Sequence, residues 1–182
     1  GENAYQFIDL LQAAGQRVWQ ILPLNPVGDS NSPYHSPGVF AGNPLLINLE
    51  QLVEEGLLLP EEIEPVRAEM TWAKEIGRVN YSLASASKEK LLRQAFTRWR
   101  KNTAQGICKS NSELYLRYQS FRQAQAHWLE DYCLFMALKQ EFGDVPWYLW
   151  DEDLAQRQPE TLAYFRRELQ EEIAYQEFLQ YL

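Results

Sequence analysis

Cysteine is scarce in this chain. Cys108 and Cys133 are 2 among 182 residues, too few for a disulfide framework. Histidine is as rare, and no second His or Cys stands at metal-ligand spacing from His127, so no metal site is predicted. Positive charge is in the minority: 17 Lys plus Arg against 25 Asp plus Glu leave a formal net charge of -8 and a pI near 4.9. Nucleic acid and anionic membranes reward clustered Lys and Arg, so neither is an expected partner. Basic residues do gather at Arg93, Arg98, Arg100 and Lys101, which reads as the solvated face of a helix. No apolar run approaches the length needed to cross a bilayer, and no signal-peptide pattern precedes Asn3. A reducing cytoplasm or plastid stroma fits this usage better than secretion. A Gly-rich phosphate loop, a Ser-His-Asp arrangement and a dinucleotide fingerprint are all missing, so no cofactor is expected. Internal repeats and low-complexity segments are missing too.

What the chain does have is apolar content, 46% hydrophobic, enough for one core and for two lobes. Its organising stretch is Arg17 to Asn48, RVWQILPLNPVGDSNSPYHSPGVFAGNPLLIN. The run Val18-Trp19-Gln20-Ile21-Leu22 is rich in β-formers and is stopped by Pro23, which predicts a strand. Both of its faces are mostly apolar, as in a parallel strand covered by helices, with Gln20 the exception. About twenty residues dense in Pro, Gly, Ser and Asn follow, a length of loop that is uncommon unless it is functional or disordered. Tyr34, Phe40, Leu45, Leu46 and Ile47 give it apolar anchors that a solvated linker lacks. A ring, hydroxyls and amides in one loop suit an uncharged polyhydroxylated ligand such as a sugar better than a phosphate.

Elsewhere the pattern is helical. Asn3 is a candidate cap for a first helix bearing Phe7, Leu10, Leu11 and Ala14, with Gly15 as its terminator. After Asn43-Pro44, Leu45 to Leu49 reads as a short extended piece, Asn48 as the cap of a helix ending at Gly56, and Leu59-Pro60-Glu61-Glu62 as another helix start. Helical spacing returns from Ser82 to about Arg100, with a break expected from Asn102 to Lys109 around Gly106. A helical hairpin is expected next, starting near Ser112, with Leu114 to Phe121 on one arm and Trp128 to Phe142 on the other. Pro146 opens an aromatic turn, Trp147-Tyr148-Leu149-Trp150. A last amphipathic helix, roughly Pro159 to Leu182, runs to the final residue with no stop signal, which predicts that the chain has been cut.

The run WQILPLNP, and then SPYHSPGVFAGNPLLINLEQLVEEGLL, resembles the 4-α-glucanotransferases of the amylomaltase or disproportionating-enzyme family. Gly77-Arg78-Val79-Asn80-Tyr81 is similar to that family's GRVDY-like segment, and Trp128 to Leu154 to its WLxDYALFxALKxxxGxxxWxxWPxxL segment. The resemblance covers nearly the whole chain. It implies a fold that is mainly α with one or two short strands, an incomplete fragment of a (β/α)8 TIM-barrel enzyme including its helical insertion subdomain. A closed barrel needs eight strands over about 250 residues, more than this chain has. Residues 1–48 are then a partial barrel αβ unit with a long substrate-side loop, 49–158 the helical insertion subdomain, and 159–182 a helix leading back toward the barrel.

The resemblance also implies transfer of α-1,4-glucan segments with retention, which requires a carboxylate nucleophile and a second carboxyl about 5 Å away. The family's catalytic motifs lie on later barrel strands and no segment here matches them, so no catalytic residue is assigned. Asp29 in the loop is explained as a turn former. The expected substrate-binding residues are Ser32 and Tyr34, which match the SPY motif beside the donor sugar, and His35, which stands where Gln is common. Pro33 stiffens the loop between them, and Gly42 and Asn43 read as the turn that fixes its return. Trp147, Tyr148 and Trp150 can pack the turn onto the helical lobe or form a sugar platform, the first being the simpler reading. The expected partners are a maltooligosaccharide or a starch- or glycogen-type glucan, together with the rest of the parent barrel or a second copy docked on open strand edges. A non-catalytic helical module that binds glucan or protein is the competing reading.

Overall fold

A helix with no buried residue opens the chain: α1 (Glu2–Ala13) in the computed structural model, which describes residues 1–28, 32–69, 80–104 and 113–182. Its N-cap is Gly1 and not the expected Asn3, and Ala4 N–H donates to Gly1 O at 3.0 Å. Its end is as expected. Gly15 has φ +73, a left-handed conformation that glycine adopts without Cβ strain, and Gln16 N–H closes onto Leu11 O at 2.9 Å.

The expected strand at Val18–Leu22 is not formed. Residues 16–24 run without regular structure and are exposed, Gln20 included, and no strand occurs among the described residues. A strand exists only through ladder hydrogen bonds to a neighbour, so β propensity without a partner leaves bare extended chain. The other extended candidate turns over as a 3-10 turn, Pro44–Leu46, in which Asn43 Oδ1 accepts from Leu45 N–H at 3.0 Å.

The chain divides into two compact units, Gly1–Ala95 and Phe96–Leu182. In the first, α2 (Leu49–Glu54) is capped by Asn48, whose Oδ1 accepts from Glu50 N–H at 3.2 Å, and it ends at Gly56 with φ +71. α3 (Pro60–Glu69) starts as the Pro and acidic pattern predicts, with Glu62 reaching back to Leu59 N–H at 2.7 Å. Leu49, Leu52, Leu57, Leu58, Ile63 and Val66 are buried here.

α4 (Tyr81–Ala104) is capped by Asn80, which accepts from Leu83 N–H at 3.1 Å. It continues through Asn102 to Ala104, into the first residues of the expected break, whose remainder lies outside the described residues, as do Ser112, Gly77, Arg78 and Val79.

In the second unit α5 (Glu113–Glu141) is one helix of 29 residues where a hairpin was expected. The segment between the two presumed arms, Arg122-Gln123-Ala124-Gln125-Ala126-His127, contains neither Gly nor Pro and is made largely of strong helix formers, so nothing turns the chain. The final segment shows the opposite: it divides into α7 (Pro159–Glu168) and α8 (Gln170–Tyr181), with Leu169 between them at φ -100, ψ 19. α5 packs along α8, and α7 touches both. Aromatic rings dominate the core there: Phe96 meets Tyr175 at 5.4 Å and Phe178 at 5.5 Å, and Trp99 meets Tyr118 at 4.9 Å. Such offset and edge-on pairs contribute beyond area burial. A second cluster joins Leu134 and Leu138 of α5 to Leu154 of the short α6 (Glu152–Ala155) and Leu162 of α7.

Candidate functional site

The long loop is tied shut at its base. Asn43 N–H donates to Leu24 O at 2.9 Å, so the two ends meet across the sequence between them. Asn25 lies just inside and its Nδ2 donates to three carbonyls on the returning arm: Gly38 at 3.0 Å, Val39 at 2.6 Å and Ala41 at 3.3 Å. One side-chain amide thus satisfies a run of backbone that would otherwise need a strand partner. Pro26 and Ala41 are buried at this neck. Gly28 is required by close approach, since a Cβ there would meet His35 O at 2.8 Å.

At the tip, Ser32 to His35 form a tight turn. Ser32 O accepts from His35 N–H at 3.1 Å, and Ser32 Oγ accepts from Tyr34 N–H at 3.3 Å. The side-chain bond is the local Ser motif that holds turns in place of regular structure. Ser32 is half-buried, whereas Tyr34 and His35 are exposed, Tyr34 at 70%. The structure therefore brings the three predicted binding residues into one turn and leaves the Tyr34 ring to solvent. Ser36 braces the returning arm, its hydroxyl donating to Gly38 O at 3.0 Å. Asp29 lies outside the described residues.

A cavity of about 540 Å³ opens beside this turn, walled by Pro33, by Leu22 to Asn25, and by Tyr81, Ala84 and Lys88 of α4. Lys88 was not singled out from the sequence. Its Nζ donates to Ile47 O at 2.6 Å and also to Leu45 O, so the ammonium clamps the loop's return to α4. Burial pushes the Lys88 amine down to about 8, against the opposing pull of the Glu50 carboxylate. A signal was present: Lys88 falls four after Ala84 and three and four before Leu91 and Leu92, on the inward stripe of the helix.

In the second unit the aromatic turn divides its roles. Trp150 packs between Phe135 at 5.7 Å and Phe142 at 5.5 Å, and its Nε1 donates to Val145 O at 3.0 Å. Trp147 and Tyr148 remain exposed, with ring centroids 6.0 Å apart. The Cys133 thiol is buried and pushed upward by that burial, which makes it an inert packing group. Tyr118 is likewise pushed upward, mainly by burial, and donates to Glu177 at 2.9 Å.

A family model described as 4-alpha-glucanotransferase matches residues 1–182. The chain is 42% identical over 182 residues to a 4-alpha-glucanotransferase of Synechocystis sp., covering 100% of this chain and 34% of that protein. It is 40% identical over 182 residues to a 4-alpha-glucanotransferase of Thermus thermophilus, covering 100% of this chain and 33% of that protein. Among solved structures it is similar to an amylomaltase from Streptococcus agalactiae in complex with acarbose, with a TM-score of 0.79 and 30% identity over 100% of this chain and 34% of that one. The chain spans about a third of the length of these relatives.

Proposed function

The chain belongs to the 4-alpha-glucanotransferase family, and from that premise we propose that it is one part of an enzyme that transfers α-1,4-glucan segments between maltooligosaccharides. The carrying observation is that the likeness runs through every residue of the chain yet through only about a third of each relative. The chain then supplies grip, and the nucleophile and acid carboxyls of a retaining double displacement come from sequence outside it. Residues 1–48 belong to an αβ unit of a (β/α)8 barrel, 49–158 to a helical insertion subdomain, and 159–182 return toward the barrel. Ser32, Tyr34 and His35 face the donor glucan. The exposed Tyr34 ring offers an apolar face and a hydroxyl, and Ser32 keeps an O–H to donate while its oxygen holds the turn. The acarbose held by the similar amylomaltase supports a glucan as the ligand. Cytoplasm or plastid stroma is the proposed compartment, and no helix among the described residues is long and apolar enough to cross a membrane.

The test is to incubate the full-length parent with maltotriose. Glucose together with maltooligosaccharides longer than the substrate is the expected outcome, and this chain alone gives neither. Glucose with no longer product would replace transfer by hydrolysis.

A further inference from the structure

The second unit holds a cavity of its own, about 350 Å³, formed where α5, the aromatic turn, α6 and α7 meet. That volume lies at the lower end for ligand pockets and suits a unit the size of one sugar ring. Leu134 and Leu162 belong to its apolar floor, and Trp150 is a fixed wall, immobilised by its two Phe neighbours and its indole hydrogen bond. Trp147 lines the same cavity with 53% of its surface open.

Polar groups meet on the same lining. Asp131 projects from α5, and Arg157 Nη2 donates to its Oδ2 at 2.8 Å. Arg166 of α7 stands 3.7 Å from the other carboxylate oxygen. Arg157 is set here by the end of α6: it follows the C-cap Gln156 with a left-handed φ of 59, and Gln158 N–H closes the turn onto Asp153 O at 2.8 Å.

A flat indole, a carboxylate and a guanidinium on one small cavity make a combined chemistry. A pyranose has an apolar C–H face for the ring and a rim of hydroxyls that both donate and accept. A carboxylate beside a guanidinium offers an acceptor next to a donor, which matches two neighbouring hydroxyls. Asp131 and Arg157 are both more than half exposed and Arg166 adds a second positive charge, so an anion is the competing ligand that the test must exclude.

We propose that this cavity is a second glucan site, in which Trp147 stacks on one glucosyl unit of a maltooligosaccharide while Asp131 and Arg157 hold its neighbouring hydroxyls. The choice of glucan rests on the proposed function; the site itself rests on the cavity and its lining.

The test labels with ¹⁵N the tryptophan indoles of the 182-residue chain carrying Val18→Lys and Leu22→Lys on its exposed apolar segment to hold it monomeric, and titrates maltotriose into the millimolar range, with cellotriose and glucose 1-phosphate as parallel probes. The Trp147 indole signal, assigned through Trp147→Phe, is expected to shift saturably with maltotriose. Read at the indole of Trp150 on the same lining, Trp147→Ala removes the binding; Asp131→Asn weakens it about tenfold or more, and Tyr34→Ala leaves the Trp147 response in place. The dispersion of the remaining indole signals reports whether each variant is folded, and a Trp150 shift kept in Trp147→Phe supplies the conservative rescue. An unresponsive Trp147 overturns the site, as does tighter binding of glucose 1-phosphate or a Trp150 response that is lost in Tyr34→Ala and kept in Trp147→Ala. A parent enzyme that disproportionates maltotriose while Trp147 stays silent overturns this inference and leaves the proposed function standing. Equal binding of cellotriose overturns its α-1,4 selectivity.

Discussion

Tyr34 is the residue on which the glucan reading of the first unit can be weighed. Its ring is exposed at 70% and its backbone N–H is spent on Ser32, so the side chain has little structural work in the turn. Tyr34→Ala in the full-length parent removes a stacking face and a hydroxyl, together about 1–3 kcal/mol of transition-state binding. That predicts a fall in kcat/KM for maltotriose of about tenfold to a hundredfold. Tyr34→Phe loses the hydroxyl alone, about 0.5–1.5 kcal/mol. Thermal midpoints should stay near wild type, because surface changes rarely move stability by more than about 0.5 kcal/mol. Unchanged steady-state kinetics in Tyr34→Ala would make the ring a bystander. At this scale the Asn48 cap was legible, because it needs only neighbours in sequence, and it is where the pattern puts it, whereas the first helix is capped at Gly1 and not at Asn3. Lys88 was not, because its partners Leu45 and Ile47 lie about forty positions away in the chain and the clamp exists only once the loop returns.

At the scale of elements, that clamp joins α4 to the Pro44–Leu46 turn and makes a signed prediction about pH. In the folded chain the Lys88 amine titrates near 8, and in the unfolded chain near the ordinary value of 10.5. Between those values the unfolded chain binds the extra proton, so this group makes folding more favourable as pH rises from about 8 to about 10.5. Lys88→Met removes the titration and leaves the carbonyls of Leu45 and Ile47 without their donor, at about 1–3 kcal/mol when buried. The stability deficit of Lys88→Met against wild type should therefore widen between pH 7.5 and pH 10 in urea unfolding. A deficit that narrows would mean that the fold favours the ammonium. The elements that sequence misjudged share one cause. α5 and the α7–α8 pair were drawn from hydrophobic spacing, which says where a face lies and is silent on whether the backbone turns. Residues 122–127 carry no breaker, so the helix runs on, while the break at Leu169 occurs without Gly or Pro. The strand failed for another reason: Val18 to Leu22 have the composition of a strand, but pairing is a property of two segments.

For the whole molecule, the telling feature is apolar surface in the first unit. Tyr5, Phe7, Ile8 and Leu10 of α1 are exposed, as are Val18, Trp19, Ile21, Leu22 and Leu24, and no residue of α1 is buried. Phe7 and Trp19 meet edge to face at 5.0 Å, so helix and extended segment form one neighbourhood of apolar side chains. Soluble monomers rarely leave contiguous apolar patches larger than a few hundred Å² uncovered, and an unpaired extended segment presents free N–H and C=O groups beside this one. The two-faced apolar pattern of Val18 to Leu22 already signalled this in the sequence, since such a segment is at ease only with cover on both sides. The chain is therefore expected to self-associate when purified alone, with a weight-average mass in sedimentation velocity that climbs with concentration. Val18→Lys combined with Leu22→Lys should shift it toward monomer without lowering the unfolding midpoint, because both positions are exposed, at 82% and 60%. Supplying the remaining sequence of the parent in trans should compete with self-association for the same face. A chain that sediments as one monomeric species across the micromolar range and unfolds cooperatively would show that α1 and residues 16–24 need no cover, and the reading of this unit as part of a larger barrel would lose its physical support.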